Sequence, residues 1–235
     1  MKSSFVIVAL LLVANMAMAQ ASPQAASPGG QAQGQSTSKP AAPTAAQTQP
    51  SSGASRAPQA KSQEEFDAYQ SAMAKTDPAE MAAAAEAFAA KFPNSELREI
   101  LYVRAMTLYQ QKDKAEAETE MGRKALAIDP TDPVPLIHVA SALAESTRDT
   151  DLDRQERLNE AAKDAHAAIN NIDTGLHIPP NAPPEQVAAV KASIIAMAYE
   201  TLGVVHIIEK DFAAAEQELQ KAVDSRKASP DASVY

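Results

Sequence analysis

Apolar and polar positions alternate differently in three successive stretches of the chain. "FVIVALLLVA", residues 5–14, is an unbroken apolar run. Residues 20–61 contain no aromatic and no branched aliphatic residue; Ala, Gln, Ser, Pro and Gly fill them. From Ser62 onward the apolar residues recur at three- and four-residue spacings, and β-branched runs of period two are absent, so this part reads as helix throughout.

Pro and Gly divide that third stretch. The pattern predicts eight helices, over 62–75, 78–91, 95–112, 114–128, 133–147, 151–171, 184–210 and 211–226. "TDP" at 76–78, "FPNS" at 92–95 and "IDPTDP" at 128–133 separate the first five. Each puts proline at a helix start or just past a helix end, where its missing N–H costs nothing. Ser62 with Glu65 three residues on reads as a capping box. "STRDTDLDRQER" precedes the sixth helix, its acids suited to an N-terminus, and "GLHIPPNAPP" is the longest loop. "VAAVKASIIAMAYETLGVVHII" is apolar nearly all round, which predicts a helix covered on several sides. Lys191, Glu200 and His206 argue against a membrane span.

The two earlier stretches read as targeting and tether. Lys2, the ten-residue apolar run and "AMA" at 17–19 form a signal peptide with predicted cleavage after Ala19. The run is too short for the roughly twenty residues of a bilayer span, and a retained anchor is the alternative. Residues 20–61 cannot bury enough apolar surface to offset the entropy of ordering and are expected to be disordered. The mature protein is expected to be periplasmic or secreted.

Charge and composition narrow the function. The 235-residue chain carries −9, and every one of its 30 acidic residues lies at or after Glu64. An acidic folded part argues against general nucleic-acid binding, which needs Lys and Arg to displace phosphate counterions. No cysteine is present, which removes disulfides, thiolate metal sites and a lipoprotein anchor. His138, His166, His177 and His206 show no i, i+4 pair and no H-E-x-x-H, so no metal ligand is assigned. "DTDLD" at 149–153 lacks the turn glycine and final Glu of a calcium loop. With no phosphate loop and no nucleophile elbow, neither catalytic nor cofactor-binding residues are assigned, and the chain is not expected to be an enzyme.

The last two helices carry a recurring spacing: Tyr199, Leu202-Gly203, His206, Ala215, Leu219 and Ala222. It resembles the tetratricopeptide repeat, with His206 in place of a tyrosine. His206 falls on a packing slot and is expected to be buried. Leu136, Val139, Ala140 and Leu143 with Ala161, Ala165 and Ala168 form a second such unit, its turn enlarged by about nine residues. Tyr102, Ala105, Met106 and Tyr109 with Ala117, Met121, Ala125 and Pro130 form a third, with "KALAIDP" its most family-like stretch. There Met106 occupies the small slot. Residues 62–94 match loosely through "AEAFAAKFPNS". An unrelated helical bundle is the alternative.

The resemblance implies an all-α fold of antiparallel helix pairs stacked as a short right-handed solenoid over 62–235. It implies that Gly203 lets the paired helix approach closely. It implies a partner-binding concave face formed by Ile100, Val103, Thr107, Val134, Ile137, Ser141, Met197, Glu200 and Val204. That face is mostly apolar and lacks the Lys, Arg and Asn clamp of the family's chaperone-binding members. An exported scaffold for a protein or peptide partner is therefore expected. The alternative is a structural or self-associating protein whose groove its own chain fills; a recognition subunit for an enzyme encoded elsewhere is a more distant reading. "SPDASVY" resembles the opening of another first helix, so the chain is expected to continue beyond Tyr235.

Overall fold

The structure is a computed structural model that describes residues 58–179 and 181–227. The signal peptide, residues 20–57 of the tether and the "SPDASVY" end lie outside the described residues. The described residues fall within one compact unit and hold eight helices and no strand. They are α1 (Gln63–Met73), α2 (Pro78–Lys91), α3 (Leu97–Gln110), α4 (Ala115–Leu126), α5 (Pro133–Ser146), α6 (Arg154–Asn171), α7 (Pro184–Glu209) and α8 (Phe212–Lys227).

The local signals act as the chemistry dictates. Asp77 accepts from the Ala79 and Glu80 amides at 3.0 Å, and Asp132 from the Val134 amide at 2.8 Å; both precede a proline at the first helical position. Ser62 accepts from the Glu65 amide at 3.1 Å. The reciprocal bond of the box is displaced by one residue, since the Glu65 carboxylate takes the Lys61 amide at 2.6 Å. Asp153 holds the N-cap position of α6 but makes no side-chain cap bond, unlike the capping expected for the acidic run. The enlarged α5–α6 turn is fastened instead by Arg157, which donates to Thr147 Oγ1 at 3.0 Å and Ser146 Oγ at 2.6 Å.

Each helix packs on the next in sequence. In addition α1 packs on α3, α3 on α5 and α5 on α7, whereas among the described residues no comparable contact joins α2 to α4, α4 to α6 or α6 to α8. The odd-numbered helices thus form a continuous row. The core follows it in three clusters. Met81, Phe88, Leu101, Met106 and Met121 anchor the first, among α1 to α4. Leu136, Ile137, Ile194 and Leu202 anchor the second and Val139, Leu143, Leu158 and Val205 the third, both among α5 to α7. Val134 packs against the first and second clusters, and Leu126 against the second and third.

The apolar helix α7 packs on α5, α6 and α8, as its all-round pattern requires. By length and composition it is also the one described helix long and apolar enough to cross a membrane. Lys191 pairs with Asp173 at 2.8 Å and Glu200 with Arg226, whereas His206 Nδ1 stands 3.6 Å from Glu209 of the same helix without a hydrogen bond. His206 is half-buried rather than buried. Gly203 is buried, and a β-carbon on it would come 2.8 Å from Leu219 Cγ and Cδ2 on α8.

Candidate functional site

Two features compete for attention. The first is the apolar face read from the sequence. Ile100, Val103 and Thr107 lie on α3, Val134, Ile137 and Ser141 on α5, and Met197, Glu200 and Val204 on α7, so all nine stand on the row of odd helices. Eight of them are half-buried. Ile137 is not: it is 1% exposed inside the second cluster, and a ligand reaches it only if that core opens. The polar members are engaged internally. Thr107 donates to the Val103 carbonyl at 2.9 Å and Ser141 to Glu145 at 3.0 Å, while Glu200 is turned toward Arg226 of α8.

The second feature has no counterpart in the sequence reading. Glu99 of α3, Asp132 at the N-cap of α5 and His177 of the α6–α7 loop bring one ligand-type atom each to within 4.8 Å of one another. Asp129, in the α4–α5 turn, stands beside His177. His177 Nε2 lies 3.3 Å from Asp129 Oδ2 and 3.5 Å from Glu99 Oε2, but neither contact has hydrogen-bond alignment. Glu99 and Asp132 are each 5% exposed. Oε1 of Glu99 is buried without any donor among the described residues.

Three segments converge here for local reasons. Asp132 is placed by its own capping bond, and Asp129 by the Thr131 amide and hydroxyl, which donate to its Oδ1 at 2.8 and 2.7 Å. The α6–α7 loop reaches the turn because Gly175 presents no side chain to the Thr131 carbonyl. Burial, followed by the facing Glu99, pushes the Asp132 carboxyl well above the ordinary carboxylate range. Contact with Glu99 first, then the charges of Glu99, Asp132 and Asp129, holds the His177 imidazolium well above its usual value against the opposing effect of burial. Burial acts to raise the Asp129 carboxyl, yet the Thr131 donors and His177 keep it below its ordinary value. The cluster therefore shares protons among groups too close to carry all their charges at once.

A third buried polar contact joins α4 to α5: Glu118 and His138 lie 3.2 Å apart, 6% and 5% exposed. Burial raises the Glu118 carboxyl, and His138 works in the other direction. Both partners are satisfied there, so the pair reads as a core contact.

Comparison with known proteins finds no matching family model, no matching curated protein and no matching solved structure.

Proposed function

We propose that this chain is an exported helical-repeat scaffold of tetratricopeptide type that binds a protein or peptide segment through apolar contacts. The observation that carries this reading is the row formed by α1, α3, α5 and α7, which has no comparable equivalent among the even-numbered helices of the described residues. Helix pairs stacked as a right-handed solenoid line a concave face with such a row. Half-buried Ile100, Val103, Val134, Met197 and Val204 are spaced along it on three successive members. An extended or helical segment laid across them gains apolar burial worth about 25 cal/mol per Å² removed from water. The nine residues of the face include no Lys, Arg or Asn to clamp a terminal carboxylate.

Self-association is the second reading, and Phe212 and Val223 on α8, outside that row and 67% and 44% exposed, favour it. The two are separated by one pair of measurements on the wild type and on Val103→Glu/Met197→Glu, both half-buried positions. Mass by light scattering reports self-association, and capture from an envelope extract reports a partner. A partner lost by the variant at unchanged helicity and unchanged mass supports the scaffold. A wild-type dimer from which the variant loses no partner supports self-association. A wild type that is monomeric and captures nothing that the variant fails to capture sinks both.

A further inference from the structure

We propose that Glu99, Asp132 and His177 form a binding site for one divalent transition-metal ion of the zinc type, with the fourth position left to solvent. The distances carry the proposal. A four-coordinate ion with bonds of about 2.0–2.2 Å holds its ligand atoms roughly 3.3–3.6 Å apart. His177 Nε2 already stands 3.3 Å from Asp129 Oδ2 and 3.5 Å from Glu99 Oε2. The His177–Glu99 separation falls in the range of one edge of a coordination tetrahedron. Both contacts are long for hydrogen bonds to a carboxylate and misaligned for them as well. The ligand atoms of Glu99, Asp132 and His177 lie within 4.8 Å of one another, so side-chain rotation of about an ångström closes the set.

Glu99 supplies an independent indication. Its side chain is 6% exposed, it stands against His177 in the cluster, and its Oε1 has no donor among the described residues. His177 meets the other oxygen, Oε2, so it is Oε1 that is costly to leave buried without a donor or a cation. The outer contacts agree. Oδ1 of Asp129 is occupied by Thr131, leaving Oδ2 toward His177. Oδ1 of Asp132 is occupied by the Val134 amide. Ligating carboxylates are fixed by such hydrogen bonds, which orient the remaining oxygen. The ligand set also selects the ion. An imidazole favours zinc and its first-row neighbours, whereas magnesium and calcium take all-oxygen shells. His177 and Asp129, with side chains 34% and 27% exposed, leave a way in from solvent. A bound ion would tie α3, the α4–α5 turn and the α6–α7 loop together.

The test is titration of the chelator-treated protein with zinc chloride, followed by calorimetry and by side-chain NMR of the four histidines. One equivalent should bind, with the His177 ring resonances shifting and those of His138, His166 and His206 staying in place. His177→Gln and Asp132→Asn should each weaken zinc at least tenfold while helicity is kept; asparagine still caps α5. Calcium and magnesium at tenfold excess should not displace the zinc. Absence of stoichiometric binding overturns the site, as does movement of another histidine in place of His177, or wild-type affinity in His177→Gln. Should Asp132→Asn fail to fold, the wild-type histidine spectrum and the loop variant still decide.

Discussion

Gly175 lies so close to the Thr131 carbonyl that a β-carbon on it would overlap the oxygen. The obstacle is backbone, which cannot swing aside as a side chain can. This approach lets the α6–α7 loop sit on the α4–α5 turn and carries His177, two residues later, to Glu99 and Asp129. Gly175→Ala is expected to destabilise the fold by about 1–3 kcal/mol in urea titration. The His177 ring should also lose the elevated titration midpoint that its acidic neighbours impose. A variant with parental stability and an unchanged His177 midpoint would show that the loop is positioned by something else.

Met106 and Gly122 form a size exchange between α3 and α4. Met106 stands where the tetratricopeptide resemblance implies a small residue, yet it is fully buried. The space comes from Gly122, whose β-carbon would lie 3.1 Å from Met106 Sδ and would overlap Val139 Cγ2 of α5. Gly122→Ala should therefore cost about 1–3 kcal/mol by overpacking, although alanine favours the helix by about 1 kcal/mol. Met106→Ala should cost about 2–5 kcal/mol through the cavity it leaves. In the Met106→Ala background the same Gly122→Ala change should be cheaper by about 0.5 kcal/mol or more, because Val139 gains room to move. Strict additivity of the two changes in a denaturant series would refute the exchange.

These two glycines show which features were legible in the sequence. Helix positions were, because they are written locally: Asp77-Pro78 and Asp132-Pro133 are cap and first residue side by side, and the apolar spacing supplies the rest. Gly203 was legible because a glycine inside an apolar helical run calls for close approach by a neighbouring helix. Gly122 was not singled out, since its role exists only against Met106 and Val139 of two other helices. The cluster at Glu99, Asp132 and His177 was hidden more completely. Its members come from three elements with no shared spacing, and the loop that delivers His177 is positioned by backbone contact. Asp132 carried a visible signal, but for capping. The packing slot of His206 predicts burial, yet it is half-buried, while Val205 beside it enters the third cluster with α5 and α6.

Gly203 faces a side chain, and that difference sets the size of its effect. The nearest atoms to its notional β-carbon are Leu219 Cγ and Cδ2 at 2.8 Å, with the Ala215 carbonyl oxygen at 3.6 Å. Leu219 is half-buried and can shift outward. Gly203→Ala should therefore be tolerated within about 1 kcal/mol, the strain being offset by helix propensity. Gly203→Leu has to displace α8 itself, which α7 alone holds to any extent among the described residues, and should cost at least about 1–3 kcal/mol. Amide exchange on α8 should accelerate in the leucine variant more than exchange on α5. A leucine variant that melts at or above the parent temperature would show that α7 and α8 do not need this approach.

Asp164 gives the fold a pH dependence of predictable sign. It lies on α6, 9% exposed, with Glu160 one turn before it, Lys163 beside it and Arg123 reaching across from α4. Arg123 is already committed to Glu160, donating to its two oxygens at 2.9 and 2.6 Å. Burial, with the Glu160 charge second, pushes the Asp164 carboxyl from 3.8 up to about 6. The folded protein therefore binds this proton more tightly than the unfolded chain does. Above pH 6 the buried charge destabilises the fold in full; the penalty shrinks as pH falls from 6 toward 3.8 and is absent below that. Asp164→Asn removes the charge and keeps the shape. At pH 8 it should stabilise the protein by about 1–2 kcal/mol, less than the ~1.4 kcal/mol per pKa unit of an unscreened site because solvent near the α6 surface screens part of the cost. At pH 4 the gain should be near zero. Urea midpoints of the two proteins across this range measure the difference directly. A gain that stays constant with pH, or a loss at pH 8, would mean that Asp164 is held ionised by its basic neighbours.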